Sequence, residues 1–553
     1  MINTKQWKIH SPKRINSPLL VTLLLCCCLA VTNTAIAKPP PGTKLAKEQI
    51  LRKGNAAEPQ SLDPHKTEGV PSSNILRDLF EGLVGEAPNG DLIPGAAERW
   101  ELSDDGLTYT FHIRQNAKWS NGDPVTAHDF EYGFKRVVNP KTLSDYALTL
   151  ASIVNAAEII QGDKPTDELG VKALSNTELE IKLVGPTPYF LGLLTHSTTY
   201  AVHKPSVEKY GDRYARPGNL VSNGAYKLDD WVVNKYVKLV RNKQYWDDQN
   251  TTIEEVYYYP TEDMNAAIRQ YRAGEVDFTY NQIAATQMPW IKQNLADELQ
   301  ITPYLGVYYY SLNFTREPFK DNPKLRQALS MALDREVIAE KVMQGDFIPA
   351  YGFVPKGTAN YETWEYPWKD LPMAERIKQA QKLYAEAGYS KSNPLKVEFR
   401  YNTQENHKRI GLAVAAMWKQ ALGVEMSLLN QEWKVFLEVR KQKKETQVAR
   451  DAWIGDYNDA YSFLELHGSK HELNNSGYVS AKYDDLLAQS RVEFDVDKRA
   501  QILRQAEQVA LEDYAVIPIY YYVSPRLVKP YVAGYDHNIM DHHYTKNFYI
   551  LEH

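Results

Sequence analysis

The chain has 553 residues, a formal net charge of −5 at neutral pH and three cysteines. That length exceeds what one hydrophobic core serves, so two or three domains are expected, and the acidic balance argues against nucleic acid as a partner. All three cysteines fall at Cys26, Cys27 and Cys28, which excludes disulfides, thiol catalysis and cysteine-ligated metals from the rest of the chain.

Residues 1–37 have the make-up of an export signal. Lys5, Lys8, Lys13 and Arg14 precede an apolar run from Leu19 to Ala30, and Ala35-Ile-Ala37 supplies a small-x-small cleavage site. The apolar run is too short to span a bilayer, and no later segment approaches membrane length, so the exported chain is expected to be soluble. Cys26 follows Leu25 rather than a small residue, which argues against lipidation. Removing the signal deletes four cations and no acids, making the chain more acidic still.

Strands and helices alternate thereafter, predicting a mixed α/β architecture. From Thr108 to Arg114, Tyr109, Phe111 and Ile113 alternate with polar residues, the period of a strand with one buried face. Asn121-Gly-Asp-Pro124 turns the chain, and Thr126 with Asp129 forms a capping box for a helix through Arg136. Helices are predicted over 324–343, 373–387 and 497–512. The stripe Ile410, Val414, Met417 and Ala421 adds another, followed by Gly423 and a strand over 424–429.

The 37 tyrosines include three runs, Tyr257–Tyr259, Tyr308–Tyr310 and Tyr520–Tyr522, each in a predicted strand. Alternation sends the middle ring of each run to the opposite face, so these runs fill a core or line a ligand wall. The segment from Arg450 to Asp456 sets a guanidinium and a carboxylate six residues apart in an aromatic, strand-like stretch containing Trp453. It suits a ligand bearing both an amine and a carboxylate; it equally suits a half-buried strand with a surface ion pair. No zinc-protease, serine-hydrolase, phosphate-loop or dinucleotide motif occurs. Asp536, His537, Asp541, His542 and His543 have metal-ligating side chains, though histidines in a polar loop are more often solvated. No cofactor is expected.

Several separated segments resemble one family. Ser61-Leu-Asp-Pro-His65, Arg77-Asp-Leu-Phe-Glu-Gly-Leu-Val84, Trp119-Ser-Asn-Gly-Asp-Pro-Val-Thr126, Asn223-Gly-Ala-Tyr226 and Asp334-Arg335 are similar to the family 5 extracellular solute-binding proteins that serve ABC importers. Thr67-Glu-Gly-Val-Pro71, Asn430-Gln-Glu-Trp-Lys434 and Arg526-Leu-Val-Lys-Pro530 resemble its oligopeptide-carrying branch, to which murein-peptide carriers are close. The resemblance implies a two-lobed periplasmic binding protein fold with a hinge and an inserted domain. On this chain it places domain I at 38–80, 206–306 and 523–553, domain II at 81–205, and domain III at 307–522. It further implies a monomer that is not an enzyme, takes short peptides and docks on the membrane permease of an ABC importer.

Residue by residue, the family's ammonium-binding Asp falls at Asp456, and Glu68, Gly69 and Val70 supply the opposite backbone. Arg450, Arg440 and His407 fall where cations meet ligand carboxylates at different peptide lengths. Trp433, Trp453, Tyr146, Tyr310 and Tyr521 are the aromatic candidates for side-chain pockets. One departure stands out. The stretch from Arg440 to Arg450 is one residue longer than the family pattern, and Lys441, Lys443 and Lys444 crowd it, leaving preferred ligand length open.

Overall fold

The computed structural model describes residues 39–553; the predicted export signal and its cysteines lie outside them. Three larger sheets organise the described chain. The first has the spatial order Ile50–Gly54, Glu255–Tyr259, Tyr236–Arg241, Tyr226–Val232, with its outermost pair parallel. The second is antiparallel, in the order Ala97–Leu102, Thr108–Ile113, Glu178–Lys182, Val171–Ala173. The third has six strands, ordered Ile348–Pro349, Val516–Leu527, Leu299–Leu312, Val448–Ile454, Lys396–Asn402, Glu425–Gln431. The second and third sheets each draw on one stretch of chain, whereas the first joins Ile50–Gly54 to strands more than 170 residues later; one continuous hydrophobic cluster packs against all three.

Local sequence rules account for many of these elements. Thr108–Ile113 buries Tyr109, Phe111 and Ile113 as its alternation requires. The helix Ala127–Val138 begins at the predicted capping box, where the Thr126 N–H donates to the Asp129 carboxylate at 2.8 Å. Glu405–Leu422 ends at Gly423, whose φ of +81° lets its backbone turn back and donate to the last helical carbonyls. The long helix predicted over 324–343 is instead broken. Pro323–Met331 stops, Asp334 caps a new start by accepting from the Val337 N–H at 2.9 Å, and a wider π turn runs from Ile338 to Met343. An Asp placed three residues ahead of a free N–H competes with helix continuation.

The six-stranded sheet positions the functional residues. Its two long strands, Leu299–Leu312 and Val516–Leu527, pair along most of their length, but the register skips between Pro303 and Val307. No helix among the described residues is long and apolar enough to cross a membrane.

Candidate ligand-binding site

The strand Val448–Ile454 has two unequal edges. Along one it pairs antiparallel with residues from Gly306 to Leu312. Along the other it pairs with Lys396–Asn402 only at Val448 and Ala449. Beyond that point the outer edge has no strand partner among the described residues. The Gly455 N–H donates inward to the Leu305 carbonyl at 2.8 Å, so by antiparallel alternation the peptide groups of Ala452 and Ile454 face the open edge. The Ala452 N–H finds only its neighbour's carboxylate, Asp451 Oδ1, at 3.0 Å.

This open edge borders a cavity with about 1360 Å³ of empty space, part of it open to solvent. Glu68, Gly69 and Val70 line its far side, where Gly69 has φ of +88° ahead of the helix Val70–Leu79. Trp433 and Arg440 reach the cavity from the helix Trp433–Gln442, seven residues and two turns apart on one face. Tyr146, His407, Arg450, Trp453 and Asp456 complete the predicted residues found on its wall.

Asp456 is buried and burial pushes its carboxyl up to about 8; the Arg77 charge offsets this only in part. Oδ2 has no hydrogen-bond partner, while Oδ1 lies 3.3 Å from His196 Nε2. His196 supplies no counter-charge, since burial lowers its pKa to about 3. The result is a desolvated acid oxygen without a cation. A buried charge in that state costs several kcal/mol unless a cation arrives or a proton binds.

Arg450 is the complementary case. It is buried, its Nε lacks a partner, and its other contacts are the Tyr522 hydroxyl at 3.4 Å and the face of the Tyr308 ring at 5.4 Å. Among the described residues it makes no ion pair with a carboxylate. Arg440 differs from the expectation of a cation free for ligand. Its Nη1 bonds Asp451 at 2.5 Å and its Nη2 lies 3.7 Å from Glu68, so internal acids occupy it. His407 also differs: desolvation, reinforced by the Arg450 charge, holds its pKa well below the usual value. It stands as a neutral imidazole against Tyr308, able to hydrogen-bond but not to act as a cation.

Two aromatic candidates are not at the cavity. Tyr310 packs on Phe399 at 4.5 Å and on Trp418 at 6.3 Å, beneath the helix Glu405–Leu422. Tyr521 points to the opposite face of the sheet, with its hydroxyl against Gly352. Their run-mates Tyr309 and Tyr522 line the cavity instead. Alternation puts Tyr309 with Tyr521 on one face and Tyr310 with Tyr522 on the other; the cavity lies at the open edge and is reached from both faces, so only packing reveals which ring of each run lines it.

The C-terminal acids and histidines divide: Asp536 and His537 are exposed to solvent as expected, whereas Asp541 and His542 are buried and His543 is half-buried. Asp541 pairs with Arg526 and with His543, while His542 sits between Glu86 at 2.8 Å and Arg77 at 2.5 Å. Among the described residues no cluster of metal-ligating side chains forms. Arg77, His196, Tyr280, Tyr304, Asn281 and Asp451 are lining residues that sequence reasoning passed over. Arg77 lay within a family motif; His196 and Asn281 sit in irregular segments with no periodic signal.

A mixed α/β fold around such a cavity is that of the periplasmic binding proteins. Residues 91–475 match the bacterial extracellular solute-binding proteins, family 5 (middle). The periplasmic oligopeptide-binding protein OppA of Salmonella typhimurium is 44% identical over 527 residues, covering 95% of this chain and 96% of the relative. Among solved structures, Haemophilus influenzae OppA in complex with RPPGFSPFR is 41% identical with a TM-score of 0.89, covering 92% of this chain and 100% of that one. The Escherichia coli murein tripeptide binding protein MppA is 40% identical with a TM-score of 0.90 and the same coverage. The chain belongs to the family 5 extracellular solute-binding proteins. Against the unliganded open form of MppA the TM-score falls to 0.66, at 39% identity, so the arrangement described here is more similar to the peptide complex than to that open form.

Proposed function

We propose that this chain is the periplasmic solute-binding component of an ABC peptide importer, exported by cleavage of residues 1–37, acting as a monomer and delivering short peptides to a membrane permease. The observation that carries this reading is the buried carboxyl of Asp456, with Oδ2 unpartnered and no cation paired to it, at the end of an open strand edge. A peptide laid along that edge replaces its backbone hydration with bonds to Ala452 and Ile454, whatever its sequence. Its ammonium neutralises Asp456 at one end, and Arg450 receives its carboxylate at the other.

Six residues of strand span at most about 20 Å at ~3.3 Å per residue. The reach of the two side chains shortens this gap to one that an extended peptide of a few residues fills. The wall offers two kinds of surroundings to alternate ligand side chains, one around Asp451, Glu68 and Tyr309 and the other around Tyr522 and His407. The domain division at 38–80, 206–306 and 523–553, at 81–205, and at 307–522 gives two lobes on either side of the cavity. The skipped register near Pro303 and Val307 supplies a hinge, because few ladder hydrogen bonds resist bending there.

Calorimetry with free and N-acetylated tripeptides tests the reading. The free peptides should bind and their acetylated forms should lose most of their affinity; equal affinity removes Asp456 as the ammonium site. Mass spectrometry of ligand released from freshly purified protein separates linear oligopeptides from murein tripeptides, which share the amine and carboxylate chemistry. Peptide recovered intact after long incubation supports carriage, whereas steady cleavage would indicate a hydrolase.

A further inference from the structure

Outside the cavity, residues 185–192 meet residues 457–499 through a buried aromatic stack. The Tyr189 ring lies nearly parallel to Tyr457, with centroids 4.6 Å apart and planes at 6°. Tyr461 covers it further, at 5.7 Å and 11°. The Arg499 guanidinium stands 5.1 Å from the centre of the Tyr189 ring and is fixed by two bonds to Asp459, at 2.8 and 2.9 Å. Tyr457, Tyr461, Asp459 and Arg499 are all buried, as is Tyr189.

Glycine lets the two segments approach this closely. A Cβ on Gly185 would fall 2.4 Å from the Arg491 carbonyl oxygen and 3.0 Å from Val492 Cα. One on Gly192 would make only an ordinary van der Waals contact, 3.5 Å from Tyr457 Cβ, so Gly185 is the position that requires glycine. The stack also bears on the ammonium site through the chain itself. Tyr457 follows Asp456 directly, its hydroxyl donates to Glu465 at 3.1 Å, and the Asp456 N–H donates to Ser462 Oγ at 2.8 Å.

We propose that Tyr189, seated on Tyr457 and Tyr461 beneath Arg499, is a clasp that holds the lobes shut and positions Asp456 under the ligand ammonium. The proposal rests on the two-lobed, peptide-enclosing reading above for what is being closed. Tyr189 lies in the stretch 81–205 and its partners in 307–522, so the stack exists only when the two stretches meet. Neither Tyr189 nor Tyr457 lines the cavity, which makes the clasp a determinant of affinity that no ligand atom touches. Its aromatic and cation contacts are gained on closing and lost on opening. They therefore slow ligand escape rather than speed ligand entry.

The test compares the full chain with Tyr189→Ala and Tyr189→Phe, using stopped-flow peptide binding and small-angle scattering with and without a tripeptide. Tyr189→Ala should release peptide at least tenfold faster with an unchanged association rate, and should remain more extended at saturation. Tyr189→Phe keeps the ring and should behave as the parent. An unchanged melting temperature of ligand-free Tyr189→Ala shows that the fold is intact. If it does not fold, Arg499→Met, which removes the cation above the ring, should show the same faster release, and parent-like release by that variant would overturn the clasp. Parent-like release and compaction in Tyr189→Ala would overturn it too. If the parent itself binds no peptide, the proposed function fails separately. The clasp is then judged by ligand-free scattering at about pH 4, where a protonated Asp456 no longer opposes closing of the empty cleft; identical profiles there for parent and Tyr189→Ala would overturn it.

Discussion

Replacing Asp456 by Asn should change how the empty protein responds to pH. Burial raises the Asp456 carboxyl from an ordinary 3.8 to about 8 in the closed arrangement, whereas in an opened, hydrated cleft it should titrate near its ordinary value. The closed form therefore holds the proton more tightly. Closing without ligand is favoured at acid pH and is opposed increasingly as pH climbs from about 4 towards about 8. At pH 7 roughly three pK units of this shift are expressed, which is about 4 kcal/mol against closing an empty, ionised site. A ligand ammonium removes that penalty, so the cavity closes on a cation and resists closing on water.

Asp456→Asn has no such penalty. Its ligand-free form should be more compact at pH 7 than the parent and should match the parent only near pH 4, while its affinity for peptides should fall by about 3 kcal/mol or more. Scattering of the ligand-free parent and variant from pH 4 to 8 measures this. Glu472 titrates in both proteins, while Glu465 and His196 feel the Asp456 charge directly, so the difference between the two curves reports Asp456 together with its effect on those two neighbours. A variant that tracks the parent over the whole range would refute the reasoning.

Arg450→Ala should weaken free peptides by tenfold or more in calorimetry while leaving their C-terminally amidated forms little changed, because it removes only the partner of the carboxylate. Arg440→Ala should instead lower the melting temperature, by the equivalent of about 3 kcal/mol, since it strands Asp451 and Glu68 as buried acids. Glu507→Ala should cost at least about 3 kcal/mol in denaturant unfolding. Its carboxylate accepts from the Phe353, Val354 and Trp364 N–H groups and the Tyr361 hydroxyl, all between 2.7 and 2.8 Å, and each would be left unsatisfied. Gly69→Ala should reduce peptide affinity. A side chain at φ +88° costs about 1–3 kcal/mol, and its Cβ would sit 3.1 Å from the Trp433 ring at the cavity wall.

Elements governed by near neighbours were legible without a structure. The alternation over 108–114, the capping box at Thr126 and Asp129, and the stripe from Ile410 to Ala421 ending at Gly423 depend on residues within a turn or two, and each appears within a few residues of its prediction. Asp456 and Arg450 were singled out by residue type and spacing, and given roles only through family likeness. Tertiary structure decided their condition. Whether Asp456 lacks a cation depends on His196, more than two hundred residues earlier, being buried and neutral. Whether Arg440 is free depends on Asp451 and Glu68 reaching it first, and His407 loses its charge because Tyr308 and Arg450 enclose it. The open edge at Ala452 exists because Lys396–Asn402 stops pairing at Ala449. Charge state and edge exposure are set by desolvation and by which distant strands meet, and neither has a period that a sequence can display.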